Sequence, residues 1–300
     1  MAIRNFAQLR EKAKRVGPRT VAIAAAQDHE ALLAARDVEE RGIANMILVG
    51  DRAAIEREAE IHEVDIGGMQ IIEETDRRAA AARAMHLVAH GQAHCAMKGK
   101  IFTADFLKAA LDPAAGLRTG KLLTHVAVFD IPGFDRLILL SDAGVVVAPA
   151  LEDKLHIVQN AIDVGHRLGV ELPRVAVLAA AEMVNPKIPS TMDAANLSKM
   201  ADRGQIYGGI VDGPLALDNA ISPEAARIKG IRGEVAGRAD ILIAPDLEAG
   251  NSLAKAIIYF AHSDMAGVVV GARMPLVLPS RADTHEAKMM SIVLGVLMSA

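Results

Sequence analysis

The alternation of short apolar runs with helix-period segments constrains the fold of this chain most. The runs are rich in Val, Ile, Leu and Ala, and they include TVAIAAA (20–26), NMILVG (45–50), CAMKG (95–99), RVAVLAAA (174–181) and ADILIAPD (239–246). Most of them are followed by a segment in which apolar residues recur at helical spacing. Strands that are apolar along their whole length are buried on both faces, and intervening helices make such strands parallel. The sequence therefore predicts an α/β fold with mainly parallel sheets.

A different pattern interrupts this alternation in the middle of the chain. Two apolar runs, HVAVFDI (125–131) and RLILLSD (136–142), are separated by the short segment PGFD. A Pro-Gly turn between two strand-like runs predicts a β-hairpin. With 300 residues the chain is long enough for two ordinary domains. We therefore predict that the chain passes from one domain to another at this hairpin.

Composition and charge exclude several classes of partner. The chain has six Phe, two Tyr and no Trp, which leaves little aromatic surface on which nucleobases stack. Its net charge of -4 comes from interspersed acidic and basic residues, without a basic stripe for a nucleic acid or an anionic membrane. The single Cys95 excludes an internal disulfide, the opening residues are charged, unlike a signal peptide, and no apolar stretch reaches membrane-spanning length. We expect a cytoplasmic protein that binds neither nucleic acid nor membrane.

Two nucleotide-binding motifs fail on spacing. No G-x-G-x-x-G follows a strand-like run, and GGIVDG (208–213) lacks the required spacing, which disfavours an NAD site. GLRTGKLL (116–123) resembles a phosphate-binding P-loop, but it has one residue too few between its glycines. Leu122 also stands where Ser or Thr would hold magnesium. The sequence therefore indicates neither a dinucleotide nor a nucleoside triphosphate cofactor.

One group of potential metal ligands is formed by His86, His90, His94 and Cys95. Spacing of four residues places imidazoles on one helix face, which is how a zinc pair begins. Gly91 is expected to end the helix before His94, and a Cys that begins an apolar strand is usually a core residue. We therefore interpret the group as structural and predict no metal site.

Polar side chains follow several of the predicted strands. In an open parallel sheet, functional residues cluster beyond the carboxyl ends of the strands. These positions hold Lys98, Gly99 and Lys100, Ser141 and Asp142, Glu182, Asp212 and Gly213, Asp246, Arg273, and Ser280 and Arg281. Any one of them has the simpler interpretation of a polar residue that faces water where a strand turns. Together they supply hydroxyls, Lys and Arg with nearby carboxylates, which favours an anionic substrate and phosphate or acyl transfer.

Several segments resemble signatures of the phosphate acetyltransferase and phosphate butyryltransferase family. They are VDGPLALDNAIS (211–222), ADILIAPDLEAGNSLAKAI (239–257), VVVGARMPLVLPSRADTHEAKMMSI (268–292), and the earlier MKGKIFTADFLKAAL and LLSDAGVVVAP. They occur in the family's order and, with the amino-terminal GPRTVAIAAAQDHEALLAA, span almost the whole chain. The form Ser-Arg-Ala-Asp-Thr at 280–284 is closer to the butyryl branch than to the acetyl branch.

The resemblance implies a reaction and a fold. The reaction is the reversible conversion of acyl-CoA and phosphate to acyl phosphate and CoA, with a butyryl or other short acyl group and without metal or nucleotide cofactor. The fold is two α/β/α domains like those of isocitrate and isopropylmalate dehydrogenases, with the active site in the interdomain cleft. The hairpin and the segment near Pro275 then mark the crossings between domains. They give a discontinuous first domain, 1–128 and 276–300, and a second domain, 129–275.

The resemblance also implies roles for individual residues. Ser280 and Arg281 match the family's Ser-Arg pair, in which Arg281 would hold phosphate oxygens and Ser280 would donate to the tetrahedral oxyanion. The acetyl branch has a catalytic Asp seven positions after the Ser, but this chain has Ala287 there. Glu286 and Asp283 are therefore both candidates for the base that takes the thiol proton.

Six further residues are candidates for substrate binding because they lie at strand ends or in segments that match the family. They are Lys98, Thr103, Arg118, Asp212, Gly213 and Asp246. Basic side chains and a hydroxyl suit contact with phosphate oxygens. The alternative for Arg118 is a residue that only solvates a loop.

Two other classes of function share the predicted architecture. A metal-dependent hydroxyacid dehydrogenase would have the same fold, but it needs a nucleotide site, which the sequence does not show. A non-catalytic assembly domain would have a degraded site, whereas the Ser-Arg-Ala-Asp stretch is intact here. Both alternatives are therefore less favoured than the phosphate acyltransferase, whether acetyl or butyryl.

The carboxyl-terminal segment MMSIVLGVLMSA (289–300) bears on assembly. It carries more apolar residues than one buried helix face requires, and such a surplus usually contacts a partner. We therefore predict a homodimer or a multiple of one, which the resemblance also implies.

Overall fold

The computed structural model describes residues 2–300, which form two compact α/β units. The middle unit contains the residues up to Asn5 and Leu122–Asp264, and the terminal unit contains Phe6–Lys121 and Met265–Ala300. Both changes of unit come earlier in the chain than the crossings predicted at 128–129 and 275–276. The predicted α/β class, with mainly parallel strands, is confirmed.

Strands and helices alternate along the chain as the apolar pattern predicts. The strands are β1 (Arg19–Ala24), β2 (Ala44–Gly50), β3 (Gln70–Glu73), β4 (Cys95–Lys98), β5 (Thr124–Asp130), β6 (Ile138–Ser141), β7 (Arg174–Leu178), β8 (Ile210–Leu215), β9 (Ile241–Ile243), β10 (Asp264–Val270) and β11 (Leu276–Val277). The helices are α1 (Phe6–Val16), α2 (His29–Glu40), α3 (Arg52–Ile61), α4 (Arg77–Ala89), α5 (Thr103–Leu111), α6 (Leu151–Arg167), α7 (Pro189–Asp202), α8 (Leu217–Ile221), α9 (Pro223–Ile228), α10 (Leu247–Phe260) and α11 (His285–Met298). Within the described range, no helix has both the length and the apolar character needed to cross a lipid bilayer.

The sheet of the terminal unit has the strand order β3-β2-β1-β4-β11-β10. Its strands are parallel except for β10, which runs antiparallel to β11. Ala24 pairs with Lys98, and Met97 pairs with Val277, so the carboxyl ends of β1, β4 and β11 lie side by side. Parallel strands of this kind carry functional residues at that edge.

The middle unit has the strand order β5-β6-β9-β7-β8. The predicted hairpin is present, since β5 and β6 are antiparallel neighbours with Val126 opposite Ser141. The other pairs in this sheet are parallel. Both hairpin strands belong to the middle unit, so the chain changes units before the hairpin rather than at it.

Burial of helix α11 within its own unit accounts for the apolar carboxyl-terminal segment, without contact to a second chain. Its residues from Lys288 to Leu297 are all buried, and it packs against α1, α2 and the strands β1, β4 and β11 of its own unit. A helix that is covered on every side needs apolar residues all round. A Cβ at Gly295 would lie 2.8 Å from Val277 Cγ2, so the sheet requires a small residue there. The inference of a partner surface on α11 was therefore wrong.

Candidate functional site

The carboxyl ends of β1 and β4 are tied together by backbone hydrogen bonds. The N–H groups of Gly99 and Lys100 donate to the carbonyl oxygens of Ala24 (2.9 Å) and Ala25 (2.8 Å). A Cβ at Gly99 would collide with the Ala25 oxygen, so this close approach requires glycine. The residue before Gly99 is Lys98, which is thereby held at a fixed place on the sheet edge.

Lys98 is a buried cation at this edge, with only 4% of its surface exposed. Its Nζ donates to the carbonyl oxygens of Gly99 (3.3 Å) and Ile101 (3.5 Å), which are long hydrogen bonds for an ammonium group. Burial lowers the pKa of Lys98 below its ordinary value, and the positive charge of Arg281 lowers it further. Two of the three N–H donors of the Lys98 ammonium group are used in these bonds, and the third is available to a ligand. Because the positive charge is costly to bury, binding of an anion beside it is favourable.

The chain that follows β11 forms a closed turn over residues 280–283. Asp283 is buried, and its Oδ2 accepts a hydrogen bond of 2.8 Å from the Ser280 N–H. The Asp283 N–H donates in return to the Ser280 carbonyl oxygen at 3.3 Å. This turn leaves the side chains of Ser280 and Arg281 exposed. Asp283, predicted as a possible base, therefore also fixes the position of the predicted catalytic pair.

Arg281 lies against an aromatic ring. Its guanidinium carbon is 4.7 Å from the centroid of the Phe102 ring, a cation–π distance. Phe102 is 64% exposed, so its ring is accessible from solvent beside the guanidinium. The ring restrains the guanidinium plane and leaves its N–H donors free to face a ligand.

The amino terminus of α5 differs from those of α2, α3 and α4. Helices α2, α3 and α4 begin after Asp28, Asp51 and Asp76, each of which caps a backbone N–H with its carboxylate. Helix α5 begins after Phe102, which has no side-chain cap to offer. The first N–H groups of α5, beside the exposed Thr103, are thus open to an anion.

Two charged residues that the sequence reasoning missed complete the cluster. Asp28 accepts from the Ala31 N–H at 2.9 Å, and its Oδ1 lies 3.3 Å from Nζ of the buried Lys288. Both charges act on the pKa of Lys98, so they lie within electrostatic reach of it. The sequence contained a signal for Lys288, since it is a lysine within an apolar helical segment. A lysine is seldom buried in such a helix without a function or a partner.

Glu286 does not join this cluster. Its Oε1 lies 3.3 Å from Nη1 of Arg10 on α1. This contact places Glu286 on the face of α11 that packs against α1, whereas Lys288 faces Asp28 at the start of α2. The structure thus brings together Lys98, Asp283 and Arg281, but not the other carboxylate predicted as a base.

Comparison with known protein families identifies the family of this chain. The family model described as phosphate acetyl/butaryl transferase matches residues 5–82 and 74–296. The chain belongs to this family. Its relatives include the phosphate butyryltransferase of Clostridium acetobutylicum, 48% identical over 297 residues that cover 99% of each chain. Another is the phosphate acetyltransferase of Rhizobium meliloti, 45% identical over 96% of this chain and 91% of the relative.

Solved structures show the same fold for this family member. A branched-chain phosphotransacylase from Enterococcus faecalis superposes with a TM-score of 0.84 at 32% identity, covering 94% of this chain and 99% of that chain. A 4-hydroxythreonine-4-phosphate dehydrogenase from Klebsiella pneumoniae has a TM-score of 0.50 at 12% identity and 94% coverage of this chain, 98% of that one. At that identity the second likeness shows the fold alone. The dehydrogenase-like α/β fold predicted for the family is thus confirmed.

Arg118, predicted to bind substrate, lies in a loop of the terminal unit of this phosphate acyltransferase family member. It is exposed, in the segment between the 3-10 helix Pro113–Ala115 and β5. The Leu117 carbonyl oxygen accepts from the Arg273 N–H at 2.9 Å, and Thr119 Oγ1 donates to the Gly271 carbonyl oxygen, so the segment is anchored on both sides of Arg118. No contact in the described chain links Arg118 to Lys98 or Arg281.

Three other predicted site residues belong to the middle unit. Asp212 and Gly213 lie within β8 and not beyond its end, so their interpretation as strand-end residues was wrong. Asp212 Oδ1 accepts from the Gly213 N–H at 2.8 Å, and a Cβ at Gly213 would lie 2.9 Å from the Val177 carbonyl oxygen. Asp246 caps α10 by accepting from the Ala249 N–H at 2.8 Å. The contacts of Gly213 and Asp246 account for those residue types, and a binding role for the three residues stays a prediction.

The predicted histidine and cysteine group has other contacts too. The rings of His86 and His90 stack at 3.9 Å, and His94 Nδ1 accepts from the Thr20 N–H at 3.1 Å. Cys95 is buried, and burial raises the pKa of its thiol to about 12. A thiol of that kind stays protonated and is a poor metal ligand. These contacts account for His94 and Cys95, and the absence of a metal at this group stays a prediction.

Proposed function

We propose that this chain transfers a short acyl group, reversibly, between coenzyme A and phosphate at the charged cluster of the terminal unit. The observation that carries the proposal is that Arg281 and Lys288 lie within electrostatic reach of Lys98 at the end of β4, in a member of the phosphate acyltransferase family. Family membership favours this function over a dehydrogenase or a non-catalytic domain. A separate cofactor is unnecessary, because the CoA thioester is itself a substrate.

The side chains of the cluster suit distinct steps of the transfer. A phosphate oxygen attacks the thioester carbonyl, the new C–O bond forms, and the C–S bond breaks as CoA leaves as a thiolate. Arg281 offers a planar pair of donors for phosphate oxygens, and Lys98 adds a buried positive charge. Ser280 Oγ is the hydroxyl that donates to the carbonyl oxygen as it becomes an oxyanion. Thr103 and the open N–H groups of α5 supply further phosphate contacts.

The reverse direction needs a base for the thiol proton of CoA. Asp283 is the better of the two predicted carboxylates, because it lies beside Ser280 and acts electrostatically on Lys98. Glu286 is engaged by Arg10. We assign proton acceptance to Asp283, with the acid form returning that proton to the thiolate when acyl phosphate is formed.

The acyl group is proposed to be butyryl or a chain of similar length. The Ser-Arg-Ala-Asp-Thr form at 280–284 resembles the butyryl branch, and the Clostridium acetobutylicum relative is named a phosphate butyryltransferase. Acetyl transfer is the alternative, since the Rhizobium meliloti relative at 45% identity is named a phosphate acetyltransferase.

Thiol release from acetyl-, propionyl- and butyryl-CoA tests both the reaction and the chain length. We expect release to require phosphate, to be matched by acyl phosphate detected as its hydroxamate, and to be fastest with butyryl-CoA. Equal release without phosphate would identify a thioesterase and overturn the proposal. A preference for acetyl-CoA would support the proposed reaction but show that its acyl group is acetyl and not butyryl.

Acyl transfer by this chain is expected to need no metal. The proposed cluster offers three cationic side chains, Lys98, Arg281 and Lys288, which can stabilise substrate charge without a metal ion. Exhaustive EDTA treatment should leave phosphate-dependent CoA release within twofold of the untreated protein. Loss of turnover that added zinc restores would contradict this expectation.

We propose that the chain forms homodimers through helix α10 and not through α11. Helix α10 is rich in apolar residues, yet Gly250 and Ala254 are its buried residues, and Phe260 is 86% exposed next to the exposed Tyr259. An apolar helix that its own chain leaves uncovered favours contact with a second copy.

Light scattering at micromolar protein concentration tests this assembly. We expect a dimer mass for the wild type and a shift toward the monomer for Phe260→Glu. The matched control is Leu172→Glu, which places the same charge at another exposed apolar residue and should stay dimeric. A monomer mass for the wild-type protein would overturn the proposal.

A further inference from the structure

We propose that His29, Glu58 and His62 form a binding site for a divalent transition-metal ion, Zn²⁺ in particular. One ligand atom from each of the three side chains lies within 4.8 Å of the other two. His29 is the first residue of α2, Glu58 lies in α3, and His62 directly follows that helix. The spacing of four residues puts Glu58 and His62 on one face, which is turned toward His29.

The chemistry of this ligand set selects the ion. Imidazole nitrogens and one carboxylate oxygen are ligands that zinc prefers, and three protein ligands leave a position for water. Magnesium prefers oxygen ligands and is not expected to bind here. All three side chains are partly exposed, so an ion can enter from solvent and keep part of its water shell.

The two imidazole rings are already held next to each other. They stack with centroids 4.2 Å apart and an angle of 18° between their planes. Glu30 Oε1 lies 3.4 Å from His29 Nε2, and Glu58 Oε2 lies 3.8 Å from His62 Nε2. Glu30 is not a proposed ligand and can orient the His29 ring through the nitrogen that the ion does not take. Binding of one ion by both rings requires them to turn out of this stack, so that a nitrogen lone pair of each ring points to the ion.

Lys100 competes with the ion for the carboxylate. Its Nζ lies 3.7 Å from Glu58 Oε1. Metal binding therefore requires the ammonium group to withdraw, or to stay nearby at the cost of like-charge repulsion. The affinity of the site is thus set by a competition that a single substitution can change.

The site is separate from the acyl-transfer cluster but uses the same chain segments. His29 follows Asp28, which pairs with Lys288, and Lys100 is two residues beyond Lys98. The metal site itself contains none of the residues assigned to acyl transfer. The inference therefore does not rest on the proposed function.

Zinc titration of the full-length protein tests the inference. Metal is first removed from the protein with EDTA, and the EDTA is then removed. The protein is titrated with Zn²⁺ in competition with a chromogenic chelator, and Mg²⁺ serves as the negative control. We expect one equivalent of zinc per chain, and loss of that equivalent in His29→Ala/His62→Ala. The matched control is His86→Ala/His90→Ala, which removes a second stacked histidine pair at 3.9 Å that is not part of such a ligand group in the described chain.

A second variant keeps all three ligands in place. In Lys100→Met the competing ammonium is gone, so we expect zinc to bind up to about fivefold more tightly, as expected for removal of one partly exposed ion pair. Tighter binding in this variant supports the site even if the double histidine variant folds poorly. The inference is overturned if wild-type protein holds no zinc against the chelator, if His29→Ala/His62→Ala retains the equivalent, or if the control pair loses it. It is also overturned if Lys100→Met binds zinc no more tightly than wild type.

Discussion

Arg281→Lys is expected to lower phosphate-dependent CoA release about 100- to 1,000-fold. Removing a donor that acts on transition-state charge costs about 3–4 kcal/mol, and lysine keeps the charge of Arg281 but not its planar pair of donors. The ammonium group also loses the flat contact with the Phe102 ring that restrains the guanidinium. The melting temperature should stay near that of the wild type, because Arg281 is exposed and contributes little buried surface.

The measurement for this variant is paired. CoA release and thermal melting are followed on the same preparation, next to the control Arg78→Lys, an exposed arginine of α4 that pairs with Asp105 at 3.1 Å. The control should keep turnover within twofold. If Arg281→Lys retains activity within a few-fold of wild type, Arg281 does not bind the transferred phosphate. A large fall in melting temperature with normal turnover per folded molecule would make it a structural residue.

Lys98→Met is expected to lower kcat/KM for phosphate about 100-fold or more without lowering stability. Loss of a buried charge that pairs with a substrate anion costs about 2–5 kcal/mol of binding. In the free protein the same charge is costly to bury, as its lowered pKa indicates, so an apolar side chain of similar length should be tolerated or stabilising. A drop in melting temperature together with unchanged kcat/KM would contradict this account.

The lowered pKa of Lys98 predicts how phosphate binding depends on pH. Its pKa in the folded protein lies below the ordinary 10.5, so it loses its charge at lower pH than an exposed lysine. Phosphate affinity should therefore fall as pH rises through the lowered pKa. Between that pKa and 10.5 the unfolded chain binds more protons at Lys98 than the folded chain, so this group makes the free energy of unfolding rise with pH. Both trends should be absent in Lys98→Met.

Sequence reasoning located part of the site because its residues lie directly at strand ends. Lys98 ends β4, and Ser280 and Arg281 come within four residues of β11. Asp28 was missed because its closeness to Lys98 depends on the pairing of β1 with β4, which spacing along the chain does not show. The metal-ligand group of His29, Glu58 and His62 was missed for the same reason, since its members belong to different βα units. Such proximity is set by tertiary packing and is not visible in spacing along the chain.

Two errors of the sequence reasoning have identifiable physical causes. Asp212 and Gly213 were predicted to follow a strand, but β8 continues to Leu215. It passes through Pro214 because β8 is the outer strand of its sheet, where the missing N–H of proline is tolerated. The large number of apolar residues in α11 was interpreted as a surface for a second chain, whereas the helix is buried on all sides within its own unit. A sequence shows how much apolar surface a helix has, and only the fold shows what covers it.

A double-mutant cycle on Lys98 and Arg281 tests the central claim most directly, namely that both side chains hold one substrate phosphate. The kcat/KM for phosphate is measured for wild type, Lys98→Met, Arg281→Lys and the double variant, with melting curves as the check on folding. If both residues bind the same phosphate, the double variant should lose less than the product of the two single losses, with a coupling of about 1–3 kcal/mol. Losses that simply multiply would place the two residues at independent sites and contradict the account.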